Sequence, residues 1–128
     1  MKVLMFAKAA NQVALDRMAR GDKPSEEAIV AMHAFNEELE KAGVLVDLGG
    51  LMPGGARIQY KGKRRKIIDG PFAEAKELIA GYSILEVKSL EEALEWAKRA
   101  PYGIGLLEDE EWEVEIRPLF DPSMFEPS

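Results

Sequence analysis

No cysteine occurs among the 128 residues, so a disulfide framework, a thiol nucleophile and a thiolate-bound metal are all excluded. Histidine is almost as scarce. His33 stands alone, and a metal held there would have to draw its remaining ligands from carboxylates, so neither a metal nor another cofactor is expected. Basic side chains are outnumbered, 17 against 23 acidic ones, and the net charge of -6 disfavours nonspecific binding to phosphate backbones and with it a direct nucleic-acid partner. No apolar run approaches the length of a membrane span, and Met1 to Phe6 is too short for a secretory leader. The expectation is a soluble cytoplasmic protein with no membrane partner. A nucleotide fingerprint is lacking too, because Gly49-Gly50-Leu51-Met52-Pro53-Gly54-Gly55 has the spacing of neither a phosphate-binding loop nor a dinucleotide turn; a bulge or wide turn is expected there.

What the chain does contain suits one domain with one core. Val3-Leu4-Met5-Phe6, inside Lys2 to Lys8, is a compact apolar run and reads as a strand buried on both faces. Ala9 to Pro24 carries Asn11, Asp16, Gly21, Asp22 and Pro24 and reads as an irregular connection with one helical turn around Val13 to Met18. Ser25 then caps a helix that ends at Gly43, with Ala28, Ile29, Met32, Phe35, Leu39 and Ala42 on its core face. Val44 to Leu48 is a strand, and Arg57 to Tyr60 and Arg65 to Ile68 form a hairpin around Lys61-Gly62-Lys63. Lys61, Lys63, Arg64, Arg65 and Lys66 are the one basic run, a solvated edge on the first reading and an anion contact on the second. Gly81 to Val87 is a further strand, and Ser89-Leu90-Glu91-Glu92 a capping box. The helix that box opens stops at Pro101. Trp112 to Arg117 alternates as a half-exposed strand, and Pro118 to Ser128 forms a tail. Two helices of this size cover one face of such a sheet. The open face calls for a cover, and a symmetric dimer would supply it and enclose a cavity.

The densest chemistry lies at Asp69-Gly70-Pro71-Phe72, a rigid corner in which Gly70 accepts positive φ and Pro71 fixes it. Asp69 there is either the cap of the short helical turn Ala73 to Leu78 or, with Glu74, Glu77 and Lys76, part of a carboxylate cluster in which one acid is raised toward neutrality. His33 is a second candidate for proton transfer, yet it falls away from the core stripe, on the side of Glu37 and Glu40, so a surface role competes. Arg57 is the candidate to hold an anionic ligand.

These residues resemble the YCII-related proteins and, among them, the subgroup named for its Asp-Gly-Pro-Phe (DGPF) signature. The likeness is carried by Asp69 to Glu77, by Glu37 to Leu45, by Gly50-Leu51-Met52-Pro53, by Gly81-Tyr82, by Ser89 to Ala93 and by Val114 to Pro118. It implies an α+β, ferredoxin-like fold, assembled as a dimeric α/β barrel in βαβ(β)βαβ order, with one domain over 1–118 and a tail over 119–128. Simpler relatives imply a His–Asp pair, its histidine on the first helix and its aspartate just before the proline that follows the second helix. Here His33 occupies the matching region, but Ala100 precedes Pro101. The subgroup's signature moves the chemistry to Asp69, with Glu74 and Glu77 as helpers and Arg57 or Arg117 as an anion clamp. Two functions follow from the likeness. One is an enzyme acting on a small organic molecule in a homodimer cavity; the other is a ligand-binding or regulatory accessory protein linked to an extracytoplasmic-function sigma factor.

Overall fold

The first strand, β1 (Lys2–Ala9), alternates in burial where its unbroken apolar run predicts cover on both sides. In this computed structural model, which describes residues 1–52, 54–69 (Asp69 by its backbone) and 79–127, Val3, Met5, Ala7 and Ala9 are buried while Leu4, Phe6 and Lys8 are half-buried. One face of the strand meets helices; the other meets none of the core cluster. β1 lies at the centre of a four-stranded sheet with β5 (Ile79–Glu86) and β6 (Trp112–Pro118) antiparallel on its two sides, and β2 (Leu45–Gly50) antiparallel beyond β5. The spatial order β2-β5-β1-β6 in a mixed α+β chain is consistent with a ferredoxin-like fold.

Local chemistry sets the helices. In α2 (Glu26–Lys41) the Ser25 hydroxyl accepts from the Ala28 N–H, and Glu26 and Glu27 lie at the positive end of the helix dipole. Gly43, at φ 73°, turns the chain so that Val44 N–H reaches the Leu39 carbonyl. Phe35 and Leu39 are buried against Val3, Met5 and Leu85, whereas Ile29 and Ala42, which the wheel places on the same stripe, are exposed. α3 (Leu90–Arg99) adds Ala93, and its Trp96 ring meets Phe35 edge-on at 6.3 Å. Its cap departs from the expected box: Ser89 accepts from Glu92 N–H, but Glu92 reaches back to the N–H of Lys88 instead of that of Ser89.

A third helix, α1 (Gln12–Arg20), replaces the irregular connection and single turn read from the sequence. Asn11 caps it by accepting from Ala14 N–H at 3.1 Å, and Gly21, at φ 72°, sends its own N–H to the Arg17 and Met18 carbonyls. Those two stops are strong enough to hold nine residues helical although only Ala14 is buried. Gly49 of β2 has a purpose as well: a Cβ there would lie 2.8 Å from the Tyr82 ring, so the bare backbone makes room for it.

β3 (Ala56–Lys61) and β4 (Arg64–Asp69) pair with each other in a separate two-stranded sheet, turning at Gly62 with φ 58°. Every residue from Ala56 to Ile67 is exposed. The tail is more ordered than a frayed end, since Leu119 N–H bonds the Lys2 carbonyl and a 3-10 turn over Pro122–Phe125 sets Phe125 against Phe120 at 5.1 Å. The Pro53 turn, the Gly70-Pro71-Phe72 corner, the helical reading of 73–78, Glu74, Glu77 and the Asp69 side chain lie outside the described residues.

Candidate functional site

The C-terminal end of α1, the N-terminal half of α2 and the loop 101–111 between α3 and β6 surround a cavity of about 580 Å³. Its walls are largely apolar, with Met18, Ile29, Met32, Ile104 and Leu106 contributing side chains and Tyr102 and Trp112 adding rings. Gly105 fixes how closely the loop approaches α2. Its φ of 76° is a glycine conformation, and a Cβ there would lie 2.6 Å from the Ser25 hydroxyl that caps the helix.

One wall is a buried ionic knot. Glu110, 8% exposed, takes the Arg17 guanidinium at 2.5 Å and the Leu107 N–H at 2.9 Å on one carboxylate oxygen, and the Trp112 indole N–H at 2.6 Å on the other. Burial alone would push the Glu110 carboxyl up; the bonds from Trp112, Leu107 and Arg17 together outweigh it and hold the group below its ordinary value of 4.5. Arg17 is raised in turn, first by its hydrogen bond to Glu110, and it also faces Asp22 at 3.7 Å. Its outer nitrogen reaches the Gly105 carbonyl at 3.5 Å. The knot therefore ties α1 to the loop that closes the cavity. Its oxygens are occupied, which suits it to hold shape and not to shuttle protons.

Two polar groups on the lining are differently placed. Burial pushes the Tyr102 phenol above its ordinary value of 10.0, which keeps it a neutral O–H donor, and among the described residues it has no hydrogen-bond partner. His33 is exposed, as its position off the core stripe implies, yet it lies on the cavity's rim. The wheel alone could not show that the cavity extends past the core face of α2.

Of the other residues singled out in the sequence, Arg57 stands exposed on β3 and Arg117 on β6, where it pairs with Glu115 at 3.4 Å; neither lines this cavity. Arg17, Tyr102 and Glu110 were missed. A signal existed for the first, in the last turn between a capping Asn11 and a terminating Gly21. For Glu110 the clue was its place two residues ahead of Trp112, on the same side of an entering strand, where a buried indole needs an acceptor. Among the described residues no helix is long and apolar enough to cross a membrane.

Comparison with known proteins gives this geometry its family. An uncharacterized protein of Rhizobium meliloti (strain 1021) is 32% identical over 69 residues, which span 52% of this chain and 56% of the relative, so the match covers little more than half of that protein's length. The model of the YCII-related domain matches residues 1–115, nearly the whole sheet with its three helices, and the chain belongs to the YCII-related family.

Proposed function

We propose that the protein binds a small, neutral, mostly apolar organic molecule in the cavity between α1, α2 and the 101–111 loop. The observation that carries this reading is the division of labour among the polar groups of the lining: the half-buried Arg17 and the buried Glu110 are locked to each other, while the Tyr102 hydroxyl has no partner among the described residues. A pocket of about 580 Å³ with apolar and aromatic walls and few polar groups is the usual form of a small-molecule site. Tyr102 donates to a carbonyl or hydroxyl of the ligand. His33, at the rim, serves as proton donor or acceptor where binding leads to turnover. The DGPF corner, with Asp69, Glu74 and Glu77, supplies the second acid of that enzymatic version, and Arg57 or Arg117 would answer an anionic substituent. The protein acts as a homodimer, a barrel of two sheets whose open faces cover each other.

A thermal-shift screen against phenols, lactones, small carboxylates and divalent metals tests the proposal on the wild type and on Tyr102→Phe, His33→Ala and Asp69→Asn. Neutral phenols or lactones are expected to raise Tm; at a hundred times Kd the gain is about 2.7 kcal/mol, roughly 10 °C for a chain of this size. Tyr102→Phe should abolish most of that shift with Tm of the free protein unchanged. A hit that survives Tyr102→Phe but is lost in Asp69→Asn moves the site to the acidic corner. Silence across the library sinks the small-molecule reading and turns attention to a protein partner such as a sigma factor.

A further inference from the structure

The β3–β4 hairpin is unlike the rest of the chain in both charge and exposure. Residues 56–69 hold six basic side chains and one acidic, a net charge of +5 in a chain whose total is -6, so all the other residues together carry -11. Strand pairing sorts its side chains. Ile58 faces Ile67 and Tyr60 faces Arg65 across the ladder, so these four share one side, and the Arg65 guanidinium lies over the Tyr60 ring at 4.5 Å. Ile58 is 50% exposed, and Tyr60 and Ile67 are each 68% exposed. A hairpin that displays an apolar stripe to water while forming its own two-stranded sheet is marginal alone.

The matching surface lies on the same chain. On the open side of the main sheet, register places Leu4 opposite Ile84 and Phe6 opposite Tyr82, all four half-buried and none of them in the core cluster. Beside them runs β6, whose Glu113 and Glu115 pair with Lys8 of β1 and whose Arg117 stands opposite Leu4. In the loop ahead of β6, Glu110 is taken by Arg17, while Glu108, Asp109 and Glu111 are exposed. Each surface has an apolar centre, and these three loop carboxylates are opposite in charge to the hairpin.

We propose that the hairpin is a clasp for a second copy of this chain. Its Ile58, Tyr60 and Ile67 stripe lies on the partner's open sheet face, and Arg65 and the turn residue Lys63 meet the exposed carboxylates Glu108, Asp109 and Glu111. Because both surfaces belong to one chain, the contact is reciprocal, as a two-fold interface requires. Charge then selects the partner, since sheet against sheet alone would set two acidic rims side by side. The inference rests on the dimer reading above and adds to it the residues that decide pairing.

A charge swap in the full-length protein tests it, with mass measured by sedimentation equilibrium. K63E/R65E and E108K/E111K are each expected to weaken self-association at least about tenfold, and raising NaCl from 0.05 to 0.5 M should weaken the wild type in the same direction. Mixing the two variants should restore the dimer, because reversed hairpin then meets reversed edge at one contact and native hairpin meets native edge at the other. These residues are exposed, and unchanged circular dichroism, with Tm equal to that of the wild type at concentrations where both are monomeric, serves as the control for folding. A wild-type chain that stays monomeric removes the dimer itself. A dimer indifferent to both variants and to salt leaves the dimer standing and overturns the clasp, and so does a mixture that fails to re-associate. A monomer that instead binds heparin through Lys63 and Arg65 gives the hairpin to an anionic polymer and also overturns it.

Discussion

Glu110 is the residue on which the cavity's shape depends, and its energetics have a definite pH signature. A carboxylate held below its ordinary value of 4.5 stabilises the fold fully above that value and loses the contribution as pH falls through the lower, folded one. Wild-type stability should accordingly be flat from pH 8 to about 6 so far as this group is concerned, with the loss confined to the acid limb. Arg17→Met isolates the pair. It leaves Glu110 buried without its cation, which for a fully buried ion pair costs about 3–5 kcal/mol; because the Arg17 side chain is 20% exposed, about 2–3 kcal/mol is expected at pH 7. Loss of the guanidinium while burial persists also moves the carboxyl upward, so protonation becomes a relief. The deficit measured by urea unfolding should therefore be smaller at pH 4 than at pH 7; an equal deficit at both would show that Arg17 acts through packing and not through charge.

At the scale of elements, a second side chain besides Arg17 joins α1 to the 101–111 loop. The Asn11 carbonyl oxygen accepts from Ala14 N–H at 3.1 Å and from Glu111 N–H at 3.2 Å, while its amide donates to the Asp109 carbonyl at 2.5 Å. Asn11→Ala removes the helix cap and both loop contacts together. A lost cap costs about 1 kcal/mol and the two further bonds about as much again, so a loss of roughly 2 kcal/mol is expected; Asn11→Asp, which keeps the acceptor, should recover the cap portion. A cost below about 0.5 kcal/mol in Asn11→Ala would mean that the loop does not depend on the Asn11 contacts. This joint also explains what the sequence showed and what it hid. The α2 helix, α3 and the strands were legible because period and caps agree with burial: Ser25, Gly43 and Ser89 bound stripes that reach Phe35, Leu39 and Ala93. α1 is short and fully buries Ala14 alone, and its ends rest on Asn11 and Gly21, residues equally at home in a loop. The cavity was hidden for a related reason. Arg17 lies far in sequence from the loop that carries both Tyr102 and Glu110, and which of the carboxylates at 108–111 turns inward depends on the tertiary placement of Trp112 and Arg17.

For the molecule as a whole, the sheet has two faces and one set of helices. Phe35, Leu39 and Ala93 cover Val3, Met5 and Leu85, and Leu4, Phe6, Tyr82 and Ile84 have no place in that cluster. Alternation along β1 thus buries one set of apolar residues and leaves the other half-buried, which is why its unbroken apolar run overstates the cover the helices provide. Hydrophobic and ionic contributions to the proposed dimer separate by their response to salt. Ile84→Lys places a charge at the centre of the open face, and in a two-fold dimer the change is made twice. With about 1.5–3 kcal/mol for burying one such side chain, the dimer Kd should rise by at least about a hundredfold. Ile84 is half-buried and outside the core cluster, so monomer Tm should move little. Raising NaCl should leave most of this defect in place, whereas screening should erase the difference between wild type and K63E/R65E. If Ile84→Lys self-associates like the wild type, the open face is not the dimer surface, and the apolar side of β1 must then be covered within the chain.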